Sequence, residues 1–365
     1  MSSLAELPTP AVYIDLDVME ANISAMAERL KARGIAHRPH LKSHKSIAVA
    51  QRQLAAGAIG VTAAKLSEAE VFAGGGIPNI LLAYPIVGAD KLARLAALHL
   101  RTELLVTADS LEGAAGLSGV GVSTGKPVRV LIEIDGGLHR GGRQPGEDAL
   151  QFARAVDALP GIEVRGLMGY FGTVYKHRNG RDLAEAVKKE AETMAAVAAL
   201  FRAHGLSAEI VSTGSSPAGL LAELLEGVTE VRSGNYAFFD ASGVGMGLAT
   251  EADCALRVVA TVVSTPLPGR ATIDAGTKTL TSDRAHHREG FGIVVGYPEI
   301  SVTALNEEHG FLAYDPDRVR LRIGDRVELI PNHACVLPNL LDRVAGVRKG
   351  RVTEWISVDA RGCST

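Results

Sequence analysis

The chain has 365 residues, of which 47% are hydrophobic and 22% are charged, and its formal net charge at pH 7 is -3. These values are typical of a folded globular protein and argue against nucleic acid or an anionic membrane as the partner. No apolar stretch is long enough to span a membrane, no signal-peptide pattern is present, and three scattered cysteines are too few for a disulfide framework. The sequence therefore predicts a cytoplasmic protein.

Short apolar runs alternate with amphipathic helical patterns from about residue 35 to residue 240. The strand candidates are Ala36–His40, Gly60–Ala63, Asn79–Tyr84, Glu103–Ala108, Val128–Asp135, Arg165–Gly172, Glu209–Gly214 and Glu230–Tyr236. Helical stretches between them include Ile47–Ala56, Ser67–Ala73, Asp90–Ala97, Gly146–Ala158, Asp182–His204 and Pro217–Leu225. Eight such repeats predict an α/β fold of the (β/α)8 TIM-barrel type. A doubly wound open sheet is the alternative, because alternation alone does not show closure.

The pattern changes after residue 250, where short β-like runs are separated by Gly, Pro and Asp and helical periodicity is absent. These runs are Leu256–Ser264, Ala271–Asp274, Gly292–Val295, Ile300–Ala304, Gly310–Ala313, Arg326–Ile330 and Arg351–Ser357. They predict a C-terminal, mostly-β domain. We therefore assign residues 14–250 to the barrel, and residues 251–365 with the N-terminal residues 1–13 to the β domain.

The segment Arg38–Lys45 directly follows the short run Gly34–His37 and places Arg38, Lys45 and two histidines around Lys42. A lysine crowded by positive charge is less stable as an ammonium, so its pKa falls and its amine becomes nucleophilic near neutral pH. A lysine that forms a Schiff base needs this property. The alternative is a basic loop on a solvated surface, and the segment alone does not decide between the two.

Chemically useful side chains recur where the predicted barrel strands end, which is where barrel enzymes hold their active residues. These positions are His40 and Lys42, Asp135 and Arg140, Tyr170, Ser212–Pro217 and Arg232–Tyr236. The last two loops are rich in small residues, which let backbone N–H groups converge on an anion, and barrels often bind phosphate after strands seven and eight. Ordinary turn chemistry is the alternative for each loop taken singly.

A lysine after the first strand and a phosphate cup after the last two together describe a site for pyridoxal 5'-phosphate. The aldehyde of this cofactor needs an amine, its phosphate needs a cup, and its ring needs polar partners. Arg140 is placed to hydrogen-bond the phenolic oxygen of the ring, and Tyr170 to contact the ring or the phosphate.

A third cluster, Pro331–Cys335, brings a histidine and a cysteine two residues apart on a segment predicted to be extended. Alternate side chains of an extended segment point the same way, so His333 and Cys335 make half of a zinc site that water or substrate oxygens complete. Buried packing is the alternative for a lone His-x-Cys pair. The preceding segment Gly324–Ile330 favours the metal site, because it carries the pair from a strand into a loop. His309 and the pair His286–His287 are further candidates, each with an exposed turn as its alternative.

Five segments together resemble the family of D-threonine aldolase and D-serine dehydratase, which belongs to the fold-type III pyridoxal-phosphate enzymes with alanine racemase. They are Leu7–Asp17, Arg38–Lys45, Asp274–Lys278, Glu307–Gly310 and Pro331–Cys335. The resemblance spans nearly the whole chain. It implies an alanine-racemase-like barrel, a C-terminal β domain and a homodimer.

The resemblance also implies roles for individual residues. It places the Schiff base on Lys42 rather than Lys45, and it makes His333 and Cys335 the ligands of a divalent metal that contacts the substrate's β-hydroxyl. The cofactor-binding set is Lys42, His40, Arg140, Tyr170, Gly214, Ser215, Gly234 and Asn235, of which the last four surround the phosphate. The chain departs from the family pattern at Ser233, where many relatives have proline, and at Thr173, near which they have histidine.

The predicted function is that of a lyase that acts on D-3-hydroxy amino acids with pyridoxal phosphate and a divalent metal. One outcome is β-elimination of water from D-serine or D-threo-3-hydroxyaspartate, which gives an oxo acid and ammonia. The other is retro-aldol cleavage, which gives glycine and an aldehyde. A thiolate ligand favours zinc over manganese or magnesium, and cysteine at this position resembles the dehydratase branch, so elimination is preferred. A metal-free racemase, or a non-catalytic carrier of the cofactor, is the alternative from another class.

Overall fold

The computed structural model describes residues 3–365, which form two compact units. The β unit comprises the described residues up to Ser24 together with Ser43–Ala48 and Asn235–Gly362. The barrel unit comprises Ala25–Lys42, Val49–Gly234 and Cys363–Thr365. The domain boundaries assigned from the sequence stay a prediction.

In chain order, strand β1 (Ala11–Asp15) and helix α1 (Leu16–Lys31) precede the eight barrel strands. The strands are β2 (Ala36–His37), β3 (Val61–Ala63), β4 (Asn79–Leu82), β5 (Glu103–Ala108), β6 (Val128–Asp135), β7 (Ile162–Tyr170), β8 (Ile210–Thr213) and β9 (Glu230–Val231). The helices are α2 (Ile47–Ala55), α3 (Leu66–Gly74), α4 (Ala89–His99), α5 (Leu111–Thr124), α6 (Glu147–Asp157), α7 (Arg181–Ala203) and α8 (Ser216–Leu220). Within residues 3–365, no helix has the length and apolar character needed to cross a membrane.

The eight strands form one parallel sheet in the order β2-β9-β8-β7-β6-β5-β4-β3. A parallel bridge between His40 and Thr62 joins the two ends of this order, since His40 follows β2 and Thr62 lies in β3. The Thr62 amide donates to Pro39 O at 2.8 Å beside that bridge. The sheet therefore closes, which confirms the predicted barrel over the open sheet.

Helix α5 was absent from the predicted elements although it has 14 residues. Its sequence includes four glycines, which weaken helical propensity and blur the apolar pattern. One of them, Gly121, packs against the turn before β7, where a Cβ would lie 1.9 Å from Gly161 O. The glycine is thus required for close packing of α5 against the barrel.

The β unit is mostly antiparallel. After helix α9 (Ala241–Met246) come β10 (Leu256–Leu267), β11 (Arg270–Ile273), helix α10 (Thr277–Leu280), β12 (Ile293–Val294), β13 (Ser301–Leu305), β14 (Gly310–Ala313), β15 (Arg326–Ile330), β16 (Arg343–Arg348) and β17 (Arg351–Ser357). The pairing β10-β11-β14-β13-β12-β15-β10 closes on itself, and β1, β16 and β17 extend it from β10. The predicted mostly-β domain is confirmed, with β1, β16 and the short helix α10 added to the expected elements.

A buried ion pair lies where the barrel closes between β2 and β9, which have only two residues each. Arg38 Nε is 3.0 Å from Glu230 Oε2, and both side chains are 3% exposed. Arg38 Nη1 also donates to Asn79 Oδ1 at 2.6 Å. Because two residue pairs fix a strand register only weakly, these side chains hold β2 in place against its neighbours.

A second buried arginine extends these contacts to β7 and β8. Ser212 Oγ donates to Glu230 Oε1 at 2.6 Å and accepts from Arg232 Nη1 at 2.6 Å. Arg232 Nη2 donates to Gly169 O at 2.6 Å. Burial lowers the pKa of Arg232 to about 10, although the negative charges of Glu230 and Glu133 oppose that shift. The closure is therefore held by one continuous network of charged and polar groups.

We expect Glu230→Gln to lower the free energy of unfolding by about 3 kcal/mol, because it leaves buried arginines without their counter-charge. The matched control is Glu209→Gln, since Glu209 is 63% exposed and pairs with Arg165 at the surface. That substitution should cost less than about 1 kcal/mol. Urea denaturation of the two variants measures both values, and equal small losses would contradict a structural role for the buried pair.

Candidate active site and metal centre

Lys42 lies at the carboxyl end of the barrel strands, in a single turn of 3-10 helix at Leu41–Ser43. Its side chain is exposed, and its amine makes no hydrogen bond or ion pair with the residues that the structure describes. The Lys42 amide lies 3.4 Å from His40 Nδ1, and the His40 amide donates to Ser233 O at 3.1 Å. An accessible amine on an anchored turn fits the aldehyde of pyridoxal phosphate.

Arg38 was expected to place positive charge beside Lys42, but that charge is neutralised by an acidic partner. Its guanidinium is buried and is engaged by Glu230 and Asn79. In the β unit, the Lys45 ammonium donates to Asn339 Oδ1 at 2.9 Å. The sequence argument for a lysine activated by neighbouring positive charge is therefore wrong for Arg38, because a partner 192 residues away neutralises it.

Arg140 and Tyr170, each predicted to contact the cofactor, lie beside each other. The Arg140 guanidinium carbon is 4.6 Å from the centre of the Tyr170 ring, a cation–π contact. Asp135 ends β6 and pairs with Tyr170 of β7 in the parallel register. Its carboxylate accepts from the amides of Gly137 at 2.9 Å and His139 at 3.1 Å, which shapes the loop that carries Arg140.

The predicted phosphate loops also lie together. Ser233 Oγ donates to Ser215 O at 2.8 Å, which ties the loop after β9 to the loop after β8. Ser215 caps α8 by accepting from the Ala218 amide at 3.4 Å. Gly214 has a φ of +96°, and a Cβ there would lie 2.9 Å from Val231. Only glycine therefore fits this corner, and Gly234 follows Ser233 directly in the chain.

Glu190 of α7 holds the first of these loops and was missed by the sequence analysis. Its Oε1 accepts from Thr213 Oγ1 at 2.6 Å and from the Gly214 amide at 2.9 Å. The Gly214 N–H is thus already engaged by protein. Glu190 lies in line with the buried residues Val187 and Met194 of the same helix. An acid on an apolar helical stripe is the signal that would have identified it.

Burial raises the pKa of Glu190 to about 7, although hydrogen bonds from Thr213 and Gly214 act in the opposite direction. Its second oxygen, Oε2, is buried and has no hydrogen-bond partner among residues 3–365. The charged form is therefore costly. Near neutral pH this carboxyl group exchanges a proton while it supports the loop after β8.

His333 and Cys335 are brought together in the β unit, but not on a strand. Strand β15 ends at Ile330, and the pair lies in a bend followed by a turn. The predicted passage from a strand into a loop is confirmed, whereas the extended conformation of the pair is wrong, because the chain turns immediately after β15. His333 Nδ1 lies 2.8 Å from Asp283 Oδ2, and the ring also hydrogen-bonds Cys335. Asp283 leaves Nε2 as the ring nitrogen for a metal, the arrangement common to histidine ligands.

The surroundings of the pair are polar. Cys335 Sγ lies 3.3 Å from Ser43 Oγ and 3.8 Å from Asn235 Oδ1. Burial alone would lower the pKa of His333, but its contacts with Cys335, Asp240 and Asp283 raise it to about 10. Within the described residues no group of three or more His, Cys, Asp or Glu side chains is arranged to hold a metal. His333 and Cys335 are the residue types that bind zinc, and they lie close enough to hydrogen-bond each other.

The remaining predicted residues, Asn235 and three histidines, lie in the β unit. Asn235, predicted to contact the phosphate, directs its side-chain amide to Asp240 and Cys335 instead, so its backbone is the part left for that role. His309 is exposed in the hairpin between β13 and β14, where its carbonyl accepts from Asn306. His286 and His287 are exposed, with ring centres 6.5 Å apart. The turn interpretation suits all three histidines.

We expect Glu190→Gln to remove a pH dependence of stability. The folded pKa near 7 lies above the ordinary value of 4.5, so the wild-type protein is most stable with Glu190 protonated and loses stability as pH rises between these values. The variant stays neutral, so its advantage in free energy of unfolding should grow to about 3 kcal/mol by pH 8. Urea denaturation from pH 5 to pH 8 measures this. Glu192→Gln, at an exposed position of α7, is the control, and parallel profiles for all three proteins would contradict the assignment.

Comparison with known proteins extends these observations to a family. The sequence matches the family model for the alanine racemase N-terminal domain over residues 14–242 and that for a putative serine dehydratase domain over residues 255–347. It is 35% identical to a D-threonine aldolase of an Arthrobacter species, over 99% of this chain and 94% of the relative. It is also 35% identical to a D-threo-3-hydroxyaspartate dehydratase of Delftia sp. strain HT23, over 91% and 92% of the two chains.

A solved structure of a relative has the same fold as this chain. The crystal structure of D-threonine aldolase from Filomicrobium marinum superimposes with a TM-score of 0.92 at 32% identity, and the match covers 99% of this chain and 98% of that one. The resemblance and the fold predicted from the sequence are confirmed. The chain therefore belongs to the alanine racemase N-terminal domain family, in the group that also contains D-threonine aldolases and D-threo-3-hydroxyaspartate dehydratases.

Proposed function

We propose that the protein is a pyridoxal-phosphate- and zinc-dependent lyase that eliminates water from D-3-hydroxy amino acids such as D-serine and D-threo-3-hydroxyaspartate. The products are an oxo acid and ammonia. The observation that carries the preference for elimination is the Cys335 side chain beside His333, with the ring oriented by Asp283. The relatives named above include both an aldolase and a dehydratase at 35% identity, so overall identity favours neither reaction.

The cofactor is implied by the family, and the residues at the barrel mouth fit it. When bound, pyridoxal phosphate draws electrons from the Cα of an attached amino acid. We assign the amine to Lys42, the surroundings of the ring to His40, Arg140 and Tyr170, and the phosphate to Gly214, Ser215, Gly234 and Asn235. In this proposal residues 14–250 carry the cofactor, and residues 251–365 with residues 1–13 carry the metal.

Lys42 then has two tasks. Its amine would hold the cofactor in the resting enzyme, and the same nitrogen, when free, would accept the proton from the substrate Cα. An exposed amine with no other bonding partner within residues 3–365 suits both tasks. Retro-aldol cleavage differs here, because it requires a base for the hydroxyl proton and leaves the Cα proton in place.

His333 and Cys335 would hold the metal. A thiolate and an imidazole nitrogen favour zinc over manganese or magnesium, which prefer oxygen ligands. Zinc at this pair would act as a Lewis acid towards the β-hydroxyl and help it leave as water. Asp283 would keep the ring in the tautomer that presents Nε2, since its carboxylate accepts a hydrogen bond from Nδ1–H.

The proposed setting is a cytoplasmic homodimer that binds a D-amino acid and binds neither nucleic acid nor a membrane. The net charge of -3 supports the absence of a polyanionic partner. The dimer follows from the family resemblance, and light scattering coupled to size exclusion measures it directly.

Product analysis decides between the two reactions. Purified enzyme given D-serine, D-threonine or D-threo-3-hydroxyaspartate should release an oxo acid and ammonia, whereas glycine with an aldehyde would show the aldolase. Lys42→Ala should lose both turnover and the visible absorbance of the bound cofactor. Lys45→Gln is the control and should keep the absorbance. A cofactor band retained in Lys42→Ala would move the assignment to Lys45.

Removal of the metal tests the second half of the site. A chelator should abolish elimination while the cofactor absorbance remains, and added zinc should restore turnover. His333→Ala and Cys335→Ala should stay inactive in zinc, whereas Cys363→Ser, which removes a thiol not assigned to the metal, should behave as wild type. Unchanged turnover after chelation would contradict the metal-assisted lyase.

A further inference from the structure

Asp240 is a buried carboxylate to which no role was assigned from the sequence. It is 0% exposed and lies in the β unit immediately before α9. Within residues 3–365 it forms no salt bridge of its own. A carboxylate in such a place must be stabilised by N–H donors, because an unpaired buried charge is otherwise very costly.

Its two oxygens have separate partners. Oδ1 accepts from the amides of Ser242 at 3.0 Å and Gly243 at 3.1 Å, which is the ordinary capping of a helix N-terminus. Oδ2 accepts from Asn235 Nδ2 at 2.8 Å and from the Ala334 amide at 2.9 Å. Only the first pair of bonds is needed to begin α9. The second pair reaches a different part of the unit.

The second pair of bonds fixes the segment that carries the candidate metal ligands. Ala334 lies between His333 and Cys335 and is fully buried, so a hydrogen bond to its amide sets the backbone from which both ligands extend. The same oxygen turns the Asn235 amide so that Asn235 Oδ1 lies 3.8 Å from Cys335 Sγ. Ser242, which follows this cap, also donates from Oγ to Asn332 O at 3.0 Å. The start of α9 thus serves as the support for residues 332–335.

We propose that Asp240 is a positioning residue for the metal centre, and that its Oδ2 sets the separation of His333 and Cys335 that a metal ion requires. This inference rests on the proposed assignment of His333 and Cys335 as the ligands. The segment needs such support because it has left β15 and forms a bend and a turn with no strand ladder to hold it. Asp283 orients the His333 ring, whereas Asp240 fixes the backbone between the two ligands.

Two variants test the roles of Asp240 Oδ1 and Oδ2 separately. Asparagine and serine both cap helices well, so Asp240→Asn and Asp240→Ser can retain the bonds to Ser242 and Gly243. Neither can supply the second acceptor, and the asparagine amide would face the N–H groups of Asn235 and Ala334, donor against donor. If one variant fails to fold, the other preserves the test. The matched control is Asp15→Asn, because Asp15 Oδ1 accepts from the amides of Asp17 and Val18 at the start of α1 and contacts neither ligand.

The measurement is zinc affinity of the cofactor-loaded enzyme, by competition with a chromophoric chelator, with the zinc-induced rise in melting temperature as a second readout. We expect both Asp240 variants to bind zinc about 10- to 100-fold more weakly, as is typical when a group supporting a metal ligand is removed, and Asp15→Asn to match the wild type. Wild-type affinity in a folded Asp240 variant would overturn the inference. If His333→Ala binds zinc as well as the wild type does, the proposed ligands themselves are wrong, which distinguishes the two failures.

Discussion

The barrel depends on the buried ion pair between Arg38 and Glu230. The two strands that must meet to close the sheet, β2 and β9, contribute two residue pairs of ladder, Ala36 with Glu230 and His37 with Val231. So short a ladder cannot by itself exclude a shifted register, and a shift by one residue would reverse which side chains face the interior. A desolvated ion pair with a further hydrogen bond from Ser212 is stable in one alignment only, because breaking either partner leaves a buried charge. The alignment it selects is the one that sets His40 against Ser233 and so locates the turn of Lys42 relative to the loop after β9.

Four buried acidic residues offset the free-energy cost of desolvation in different ways. The partners of each carboxyl group indicate its role. Glu230 has a guanidinium partner and is structural. Asp240 accepts four N–H groups and positions a loop. Glu190 has two donors on one oxygen and none on the other, so burial favours its neutral form. Glu133 of β6 likewise has an oxygen without a partner in residues 3–365, and burial raises its pKa, with the nearby charge of Asp109 adding to the effect. Glu230 and Asp240 have partners for both carboxylate oxygens. Glu190 and Glu133 each have one oxygen without a partner in residues 3–365, and burial favours their protonated forms.

The eight barrel strands could be predicted because strands buried on both faces appear as short apolar runs, and β5 and β6 were placed to the residue. The strand-end rule then located Lys42, Arg140 and Tyr170, since parallel strands present their carboxyl ends at one edge. Contacts between residues far apart in the sequence could not be predicted. Glu230 lies 192 residues from Arg38, and Asp240 lies 94 residues before Ala334. A sequence shows that a charged residue stands in an apolar context, but not which partner compensates it, and for this reason the crowding argument at Arg38 failed.

The candidate metal pair, His333 and Cys335, would leave other coordination positions of a bound metal ion open. Two protein ligands cannot satisfy a tetrahedral zinc ion, and the described residues offer no third acidic, thiol or imidazole ligand in a group with them. In the proposed assignment the remaining positions would be filled from solution or by a substrate. A zinc ion held by one cysteine sulfur and one histidine nitrogen would keep a net positive charge with which to polarise a substrate oxygen. A third anionic protein ligand would strengthen metal binding but weaken this effect. An open pair therefore needs its support from the backbone, and the hydrogen bond from Ala334 to Asp240 provides that support without occupying a coordination position.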